Sequence, residues 1–325
     1  MIPFTLERPA GEKQAIAAAA GGARYIAGGT TLVDLMREEI ERPNRLVDVN
    51  HLPLDYIRVI DGSIVIGSLA RMSEVAANSD VRALQPLIAE TLVEGASPQL
   101  RNAASIGGNL LQRVRCPYFR MLDVGCNKRV PGSGCSALEG HNAGHALLGT
   151  SDQCVATHPS DLAVSLVALD ASMVVRGAKG ARSFLVEDLF RLPGATPHLE
   201  HTLQQSELIV EIRIPSGAYA RTARYLKVRD RSSYEFALVS TAAALHIVDG
   251  TIREARVAAG GVGTKPWRMR LVENSLHGQK PSRAAFEAAA ALSLEGVRPL
   301  SGNGFKAKLL PATIIRALEL AGEKA

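Results

Sequence analysis

The sequence lacks several features that would place a protein in a familiar class at once. It has only four cysteines in 325 residues, which is too few for a disulfide scaffold of this size. Its longest apolar runs, such as Ala17 to Ala20, are far too short to cross a membrane. The N-terminus also lacks the basic and apolar regions of a secretion signal. We therefore expect no membrane span and no signal in this chain, so that export would require a partner's signal.

Charge of one sign is not concentrated in any part of the chain. The formal net charge is +5, but lysines and arginines are interleaved with acidic residues throughout. Because nucleic-acid binding usually requires a basic stripe or patch, this distribution argues against it. The sequence also contains no internal repeat and no low-complexity tract. Its length and its 46% apolar content are typical of a globular protein with two or three domains.

Short strand and helix patterns alternate along most of the chain, which predicts an α+β fold. From about residue 220 the pattern changes to strands followed by helices, so the last hundred residues are expected to form their own α+β domain. The earlier predicted elements are strands over residues 4–7, 25–27, 46–49, 57–60, 64–66, 172–176 and 207–214, and helices after Gly11 and over residues 30–36, 72–94 and 160–169.

All the cysteines lie in one segment, residues 112–156, that has little apolar periodicity and is predicted to be a long loop. They are Cys116, Cys126, Cys135 and Cys154. Thiolates bind soft metals, and four of them can complete the ligand shell of zinc or of an iron–sulfur cluster. Structural zinc usually uses closely spaced cysteine pairs, which are absent here, so the wide spacing favours a [4Fe-4S] cluster. Zinc, disulfides and unliganded thiols remain as alternatives.

Residues around the cysteines suit a negatively charged cluster. The positive side chains of Arg113, Arg115 and the Asn127–Arg129 stretch are expected to offset its charge. Nearby glycines would let backbone amides approach the sulfurs; these are Gly125, Gly132 and Gly134. A histidine could also replace one cysteine as a ligand, and the candidates are His141, His145 and His158.

Two loops with paired glycines could bind a dinucleotide. Ala27–Thr31 follows a strand and opens a helix, so its amides and hydroxyls could wrap a pyrophosphate. Ser105–Leu110 repeats this small, hydroxyl-bearing design, and the two loops could clamp one ligand from both sides. Neither loop fits the Gly-x-Gly-x-x-Gly pattern of a Rossmann site. A flavin bound by a different fold is therefore the favoured ligand.

With these loops, the cysteine segment and Thr157–Asp161 in this order, the whole chain resembles the FAD-binding (medium) subunits of the xanthine dehydrogenase, or molybdenum hydroxylase, family. Within that family, three strings resemble the flavoprotein subunits of bacterial periplasmic aldehyde oxidoreductases: Arg115–Phe119, Cys126–Arg129 and Pro131–Cys135. Most family members lack the cysteine segment, so the resemblance is to the subset that carries an extra [4Fe-4S] cluster.

The resemblance implies an α+β architecture with two domains. Residues 1–217 would form a two-lobed FAD-binding domain of the vanillyl-alcohol-oxidase (PCMH) type, and residues 218–325 a domain like the C-terminal domain of CO dehydrogenase flavoproteins. Within the first domain, lobe 1 would cover residues 1–54 and lobe 2 residues 55–217, with the iron–sulfur insert at residues 112–156.

The resemblance also implies the cofactor contacts. The first loop would bind the FAD pyrophosphate, and the second would contact it from the other lobe. Asp161 would lie near the flavin or its adenosine portion, and Ile209 and Lys227 would line the isoalloxazine region. The expected FAD-binding residues are Ile26, Ala27, Gly28, Gly29, Thr30, Thr31, Leu32, Ser105, Ile106, Gly107, Gly108, Asn109, Asp161, Ile209 and Lys227. The expected cluster ligands are the four cysteines.

No catalytic side chain is expected in this chain. His158 and Asp161 could form a proton-handling pair, but their spacing equally suits a helix N-terminus capped by Ser160 or Thr157, which we favour.

The implied function is electron transfer in a heterotrimer. A molybdenum-cofactor large subunit would oxidise an aldehyde to a carboxylic acid, and electrons would pass through a [2Fe-2S] small subunit to FAD and then to an external acceptor. The complex would be periplasmic by co-export with a partner, and otherwise cytoplasmic. Alternatives are a stand-alone FAD oxidoreductase, an FAD subunit acting on an aromatic or N-heterocyclic substrate, and a zinc-stabilised interaction subunit without flavin.

Overall fold

The computed structural model describes residues 1–323, which fold into three β-sheets with helices packed between and around them. The strands are β1 (Thr5–Glu7), β2 (Arg24–Ile26), β3 (Arg45–Asp48), β4 (Ile57–Ile60), β5 (Ser63–Gly67), β6 (Ser172–Gly177), β7 (Gly180–Leu185), β8 (Leu208–Ile214), β9 (Arg224–Val228), β10 (Val239–Val248), β11 (Thr251–Gly260) and β12 (Trp267–Arg268). The helices are α1 (Glu12–Ala20), α2 (Leu32–Arg37), α3 (Met72–Ala77), α4 (Ser79–Leu84), α5 (Pro86–Glu94), α6 (Pro98–Ala103), α7 (Ile106–Leu110), α8 (Pro117–Arg120), α9 (Asp161–Ala168), α10 (Arg270–Leu276), α11 (Arg283–Ala291) and α12 (Phe305–Gly322).

The N-terminal lobe is a small parallel sheet in the order β1-β3-β2, connected through α1 and α2. Parallel neighbours need a crossover connection, and these helices supply it. The alanine-rich helix α1 buries Ala15, Ile16 and Ala19, whose small side chains let it lie close to the sheet. The loop between β2 and α2 is the first glycine loop, so the crossover itself delivers this loop to the edge of the lobe.

The second lobe is an antiparallel sheet in the order β4-β5-β8-β6-β7, with helices on one side. Its core includes Ile64 and Ile66 of β5 and Ile212 of β8, at alternating positions that face the helices. Helix α9 buries every residue from Leu162 to Ala168, because it lies between this lobe and the C-terminal sheet. A helix that is apolar all round is stable only in such a position.

The C-terminal part is an antiparallel sheet in the order β12-β11-β10-β9, covered by α10, α11 and α12. The small residues Ala242–Ala244 of β10 are fully buried, since α9 packs on one face of the sheet and α12 on the other. The α+β fold class expected from the sequence is confirmed. Within residues 1–323, no helix combines the length and apolar character needed to cross a membrane.

The cysteine segment is a long loop, as predicted, apart from the one-turn helix α8, and side-chain hydrogen bonds help to give it shape. Asn127 donates hydrogen bonds to the Gln153 side chain and backbone, at 2.9 and 3.1 Å. Arg129 donates to the carbonyls of Tyr118 and Phe119, at 2.7 and 2.9 Å. Each of these bonds fixes one turn of the loop against another, in place of a regular ladder.

Candidate functional site

A large cleft of about 610 Å³ opens between the two lobes of the first domain. Its size lies within the range of small-molecule and cofactor sites. All residues of the first glycine loop line it, as do three residues of the second glycine loop and two residues of β8. The predicted FAD-binding residues on the cleft wall are Ile26, Ala27, Gly28, Gly29, Thr30, Thr31, Leu32, Ser105, Gly107, Gly108 and Ile209.

The first glycine loop presents free backbone donors to the cleft. In the part of the chain that the structure describes, no protein acceptor pairs with the amides of residues 28–31. Gly29 has φ +70°, a conformation that turns the chain sharply before α2 begins. Gly28 serves packing instead, because a Cβ there would lie 1.9 Å from the Ala103 carbonyl oxygen. An anionic ligand such as a pyrophosphate is the natural partner for these amides.

The second glycine loop differs, because its own fold already uses its amides. Gly107 donates to the Ser68 carbonyl at 2.8 Å, and Gly108 donates to the Ser105 hydroxyl at 3.2 Å. Ile106 points into the core and is 1% exposed, so it does not line the cleft. This loop therefore forms a close wall of the cleft and not a second set of free amides.

Two polar residues that sequence reasoning missed hold the first loop in place. The Asn50 amide donates to the Ala27 carbonyl at 3.1 Å, and Arg71 donates to the Asn50 side chain at 2.8 Å. Arg71 also donates to the Ala103 carbonyl at 2.7 Å, next to the close approach of Gly28. The lobes are thus joined at the base of the loop. A lone Asn and a lone Arg give no sequence signal for this contact.

Asn109, Asp161 and Lys227 do not line the cleft. The Asn109 side chain accepts from the Ser160 hydroxyl at 2.6 Å. Asp161 accepts from Lys227 at 2.7 Å and from the Tyr225 hydroxyl at 2.6 Å. Burial raises the pKa of Asp161, while the Lys227 ammonium opposes that rise. The structure thus places Asp161 and Lys227 in a buried ion pair between α9 and β9.

The start of α9 settles the choice between a proton-handling pair and a capped helix. The Ser160 hydroxyl accepts from the Ala163 amide at 3.0 Å, so the capping interpretation is confirmed. His158 packs edge-on against Phe190, with 4.5 Å between ring centroids. Burial lowers the pKa of His158 to about 3, so its ring is neutral near pH 7.

The structure brings all four cysteines to the wall of one small cavity, although they are up to 38 residues apart in the sequence, from Cys116 to Cys154. None forms a disulfide; Cys126 and Cys154 are buried, and Cys116 and Cys135 are half-buried. Among residues 1–323, no group of three or more His, Cys, Asp or Glu side chains is arranged to hold a single metal ion. The four cysteines therefore share one cavity, and the described residues form no metal-ion site there.

The environment of the sulfurs is apolar but contains amide donors. Burial raises the pKa of the Cys116 thiol to about 12 and also raises that of Cys154. The backbone amides of Phe119 and Tyr118 oppose the rise in the pKa of Cys116, as the Ala156 amide does for Cys154. A metal that binds here must displace the protons of these thiols.

The cations near the cysteines have partners that the sequence did not reveal. Lys128 and Arg113 both pair with Glu200, and the Lys128–Glu200 distance is 2.9 Å. Arg113 also pairs with Glu41, which lies on the flavin cleft. The sequence predicts that these cations offset the charge of a cluster, and the structure adds carboxylate partners for Lys128 and Arg113 from distant segments of the chain. Among these cations, Lys128 acts on Cys154, because its positive charge opposes the rise in the pKa of that thiol.

Comparisons with known proteins agree with this architecture. Residues 3–217 match the family described as the FAD binding domain in molybdopterin dehydrogenase, and residues 224–318 match the CO dehydrogenase flavoprotein C-terminal domain. The chain is 44% identical over 322 residues to the aldehyde oxidoreductase FAD-binding subunit of Escherichia coli strain K12, with 98% of each chain covered. It is 26% identical over 331 residues to the carbon monoxide dehydrogenase medium chain of Hydrogenophaga pseudoflava, with 99% of this chain and 98% of the relative covered.

A solved structure of the Hydrogenophaga pseudoflava carbon monoxide dehydrogenase has the same fold. The TM-score is 0.79 at 24% sequence identity, and both chains are covered completely. The chain described here therefore belongs to the FAD-binding subunits of the molybdopterin-dependent dehydrogenases, the molybdenum hydroxylase family, and is an oxidoreductase subunit.

Proposed function

We propose that this chain is the FAD- and [4Fe-4S]-containing electron-transfer subunit of a molybdenum-dependent aldehyde oxidoreductase. The observation that carries the flavin assignment is the cleft whose first loop offers the unpaired amides of residues 28–31. The identity of 44% with a relative named as an aldehyde oxidoreductase subunit supports aldehydes as the substrate class. Subunits of complexes that act on aromatic or N-heterocyclic substrates remain the second candidate.

The residues of the cleft have separate tasks in this proposal. The amides of Gly29, Thr30 and Thr31 would bind the pyrophosphate, and Gly107 and Gly108 would let the second loop approach it closely. Bound FAD would supply the redox chemistry, since a flavin accepts electrons singly and passes them on singly or in pairs. The protein would orient the flavin and exclude competing chemistry, which requires no catalytic acid or base of its own.

The cysteine cavity supports an iron–sulfur cluster over zinc. A cubane spreads its thiolates over four irons, whereas one zinc ion draws all its ligands to a single point. The sulfurs of Cys116, Cys126, Cys135 and Cys154 all line one cavity, which supports one shared cluster, and the segment lacks the closely spaced cysteine pairs that structural zinc usually uses. Amide donors at two of the sulfurs would stabilise a negatively charged cluster. The cluster would also pin a long loop that has no core of its own.

The remaining parts of the proposal concern assembly. The medium-chain relatives are named as parts of larger complexes, which supports a molybdenum-cofactor large subunit and a [2Fe-2S] small subunit as partners in a heterotrimer. Electrons would enter from the small subunit and leave to an external acceptor. A periplasmic location would require co-export with a partner, and otherwise the complex would be cytoplasmic.

Anaerobic reduction by substrate tests the proposal directly. The chain is co-expressed with its partner subunits, and flavin absorbance is followed after addition of an aromatic aldehyde. We expect bleaching with the complex, no bleaching with this chain alone, and recovery on adding an electron acceptor. Bleaching of the isolated chain by aldehyde would indicate a stand-alone oxidoreductase. Bleaching of the complex by an N-heterocycle and not by aldehydes would favour the second candidate.

A further inference from the structure

One histidine of the cysteine segment contacts a sulfur directly. The Nε2 atom of His145 lies 3.2 Å from the Sγ atom of Cys116, and the ring is 3% exposed. The other ring nitrogen, Nδ1, is buried and has no partner among the described residues. A metal-bound thiolate can only accept a hydrogen bond, so this geometry requires the ring proton on Nε2.

The C-terminal domain fixes this histidine in position. Asn303 donates to the His145 carbonyl at 3.2 Å and to the Ala146 carbonyl at 3.1 Å. Lys306 of helix α12 donates to the same His145 carbonyl at 3.3 Å and to the Gly261 carbonyl at 2.7 Å. The backbone on either side of the ring is therefore tied to a rigid helix of another domain. A ring restrained in this way gives a hydrogen bond of fixed direction.

Lys306 is itself unusual, because it is fully buried and no carboxylate of the described residues offsets its charge. A buried ammonium is costly unless an opposite charge lies near it. Its two carbonyl partners satisfy its hydrogen bonds but not its charge. A negatively charged group in the cysteine cavity, on the far side of His145, would supply that counter-charge.

We propose that His145 is a positioning residue for the iron–sulfur site, which donates a hydrogen bond from Nε2 to the Cys116 sulfur. The buried ammonium of Lys306 adds positive charge on the other side of His145. This inference rests on the cluster proposed above. Hydrogen bonds and positive charge at a cluster sulfur stabilise the more reduced, more negative state and so raise the reduction potential. The C-terminal domain thus contributes to the cluster site without supplying a ligand.

The test is the reduction potential of the cluster in the co-expressed complex, measured by anaerobic spectroelectrochemical titration. For His145→Leu we expect a shift to more negative potential, with the flavin content unchanged. His145→Gln, which keeps an N–H donor, should restore part of the shift. His141→Gln is the matched control, since His141 is an exposed histidine of the same loop. Lys306→Met should also lower the potential, whereas Lys308→Met, on the exposed side of the same helix, should not.

The outcomes distinguish a failure of the role proposed for His145 from a failure of the proposed cluster. Equal potentials in wild type and His145→Leu would overturn the hydrogen-bond role, and so would an equal shift in His141→Gln. Loss of all iron beyond the [2Fe-2S] centres in both His145 variants, with normal FAD, would indicate that His145 is a ligand and would also overturn the hydrogen-bond role. Wild-type complex that contains FAD and no iron beyond its [2Fe-2S] centres would instead contradict the proposed cluster.

Discussion

The flavin cleft and the cysteine cavity lie on either side of helix α2 and are built in opposite ways. Leu35 of this helix lines the cleft and also packs against Cys126 and Cys154. The cleft is large, and the amides of its first loop are free. The cavity is small and apolar, and two of its four cysteines, Cys126 and Cys154, are buried. The cleft is thus shaped to admit an organic cofactor, whereas the proposed cluster would have to assemble inside the cavity.

This contrast predicts that the two sites can be emptied separately. A preformed cleft should keep its shape without the cysteines, because its walls belong to regular lobes with their own cores. The conformation of the cysteine loop, in contrast, depends on local side-chain hydrogen bonds and, in our proposal, on the iron–sulfur cluster. Substitutions on either side of α2 can test this independence.

The largest effect is expected from a charge in the first loop. Gly29→Asp would place a carboxylate among the free amides, at a φ of +70° that already disfavours any side chain. We expect FAD content to fall by about tenfold or more, with iron content retained. Gly278→Asp is the control for backbone strain, because Gly278 has φ +77° and nothing near its Cβ position. Normal flavin content in Gly29→Asp would rule out the first loop as the pyrophosphate site.

The second substitution should remove the proposed cluster from the cysteine cavity. Cys126→Ser replaces a buried thiol by a poor ligand for iron, so the broad visible absorbance and the iron of this subunit should be lost. FAD should remain near one per chain, because Cys126 does not line the cleft. Val130→Ala, at an exposed position of the same loop, is the control. Unchanged iron content would exclude Cys126 as a ligand, and joint loss of FAD would contradict the independence of the sites.

A third substitution tests the ion pairs that connect the two regions. Burial alone would raise the pKa of Glu200, but Arg113 and Lys128 outweigh it and lower that pKa. Glu200→Gln removes the carboxylate partner of Lys128 and one of the two carboxylate partners of Arg113, and should cost about 2 kcal/mol of unfolding free energy at pH 7. Because the folded pKa is lowered, this contribution is complete above the ordinary value of 4.5 and is lost as the pH falls below it.

Urea unfolding of the full chain at several pH values measures this difference. The gap between wild type and Glu200→Gln should close as the pH falls below 4.5. Glu295→Gln, at an exposed position, is the control and should show no gap at any pH. A gap that is the same at pH 7 and in acid would show that Glu200 acts by shape and not by charge.

The smallest effect is expected in the second glycine loop. A Cβ at Gly108 would lie 2.9 Å from the Ser105 hydroxyl, which can rotate away but would then cap α7 less well. Gly108→Ala should therefore lower stability by about 1 kcal/mol and weaken FAD binding only slightly. Flavin titration into the apoprotein measures the affinity. A loss as large as that of Gly29→Asp would mean that both loops bind the pyrophosphate equally.

Much of this arrangement could be predicted because its signals are local. The pattern of strand, glycine pair and helix around Gly28 predicts both the β2–α2 connection and the wall of the cleft. The prediction that Ser160 caps α9 is confirmed. The gathering of the cysteines around one cavity also agrees with their clustering in the sequence. Helix α9 could be predicted because the length of a buried helix and the residue that caps it are both visible in the sequence.

What could not be predicted depends on contacts between distant segments. Glu200 meets Lys128, and Arg71 meets Asn50, through the packing of separate elements that no spacing in the sequence reveals. For the same reason the sequence predicts only that the cations of the cysteine loop offset the charge of a cluster. The pairing of Lys128 and Arg113 with Glu200 could not be predicted. The contact between His145 and Cys116 is of this kind too, because it depends on how helix α12 restrains the loop.

The central claim is that one chain holds FAD in the cleft and an iron–sulfur cluster in the cysteine cavity. Anaerobic purification with the co-expressed partners, followed by quantification of flavin, iron, zinc and molybdenum in one sample, tests it most directly. The account predicts about one FAD, about one molybdenum and about eight irons per complex, of which about four belong to this chain. One FAD with only about four irons would leave no cluster in this chain, and zinc without flavin would contradict both assignments.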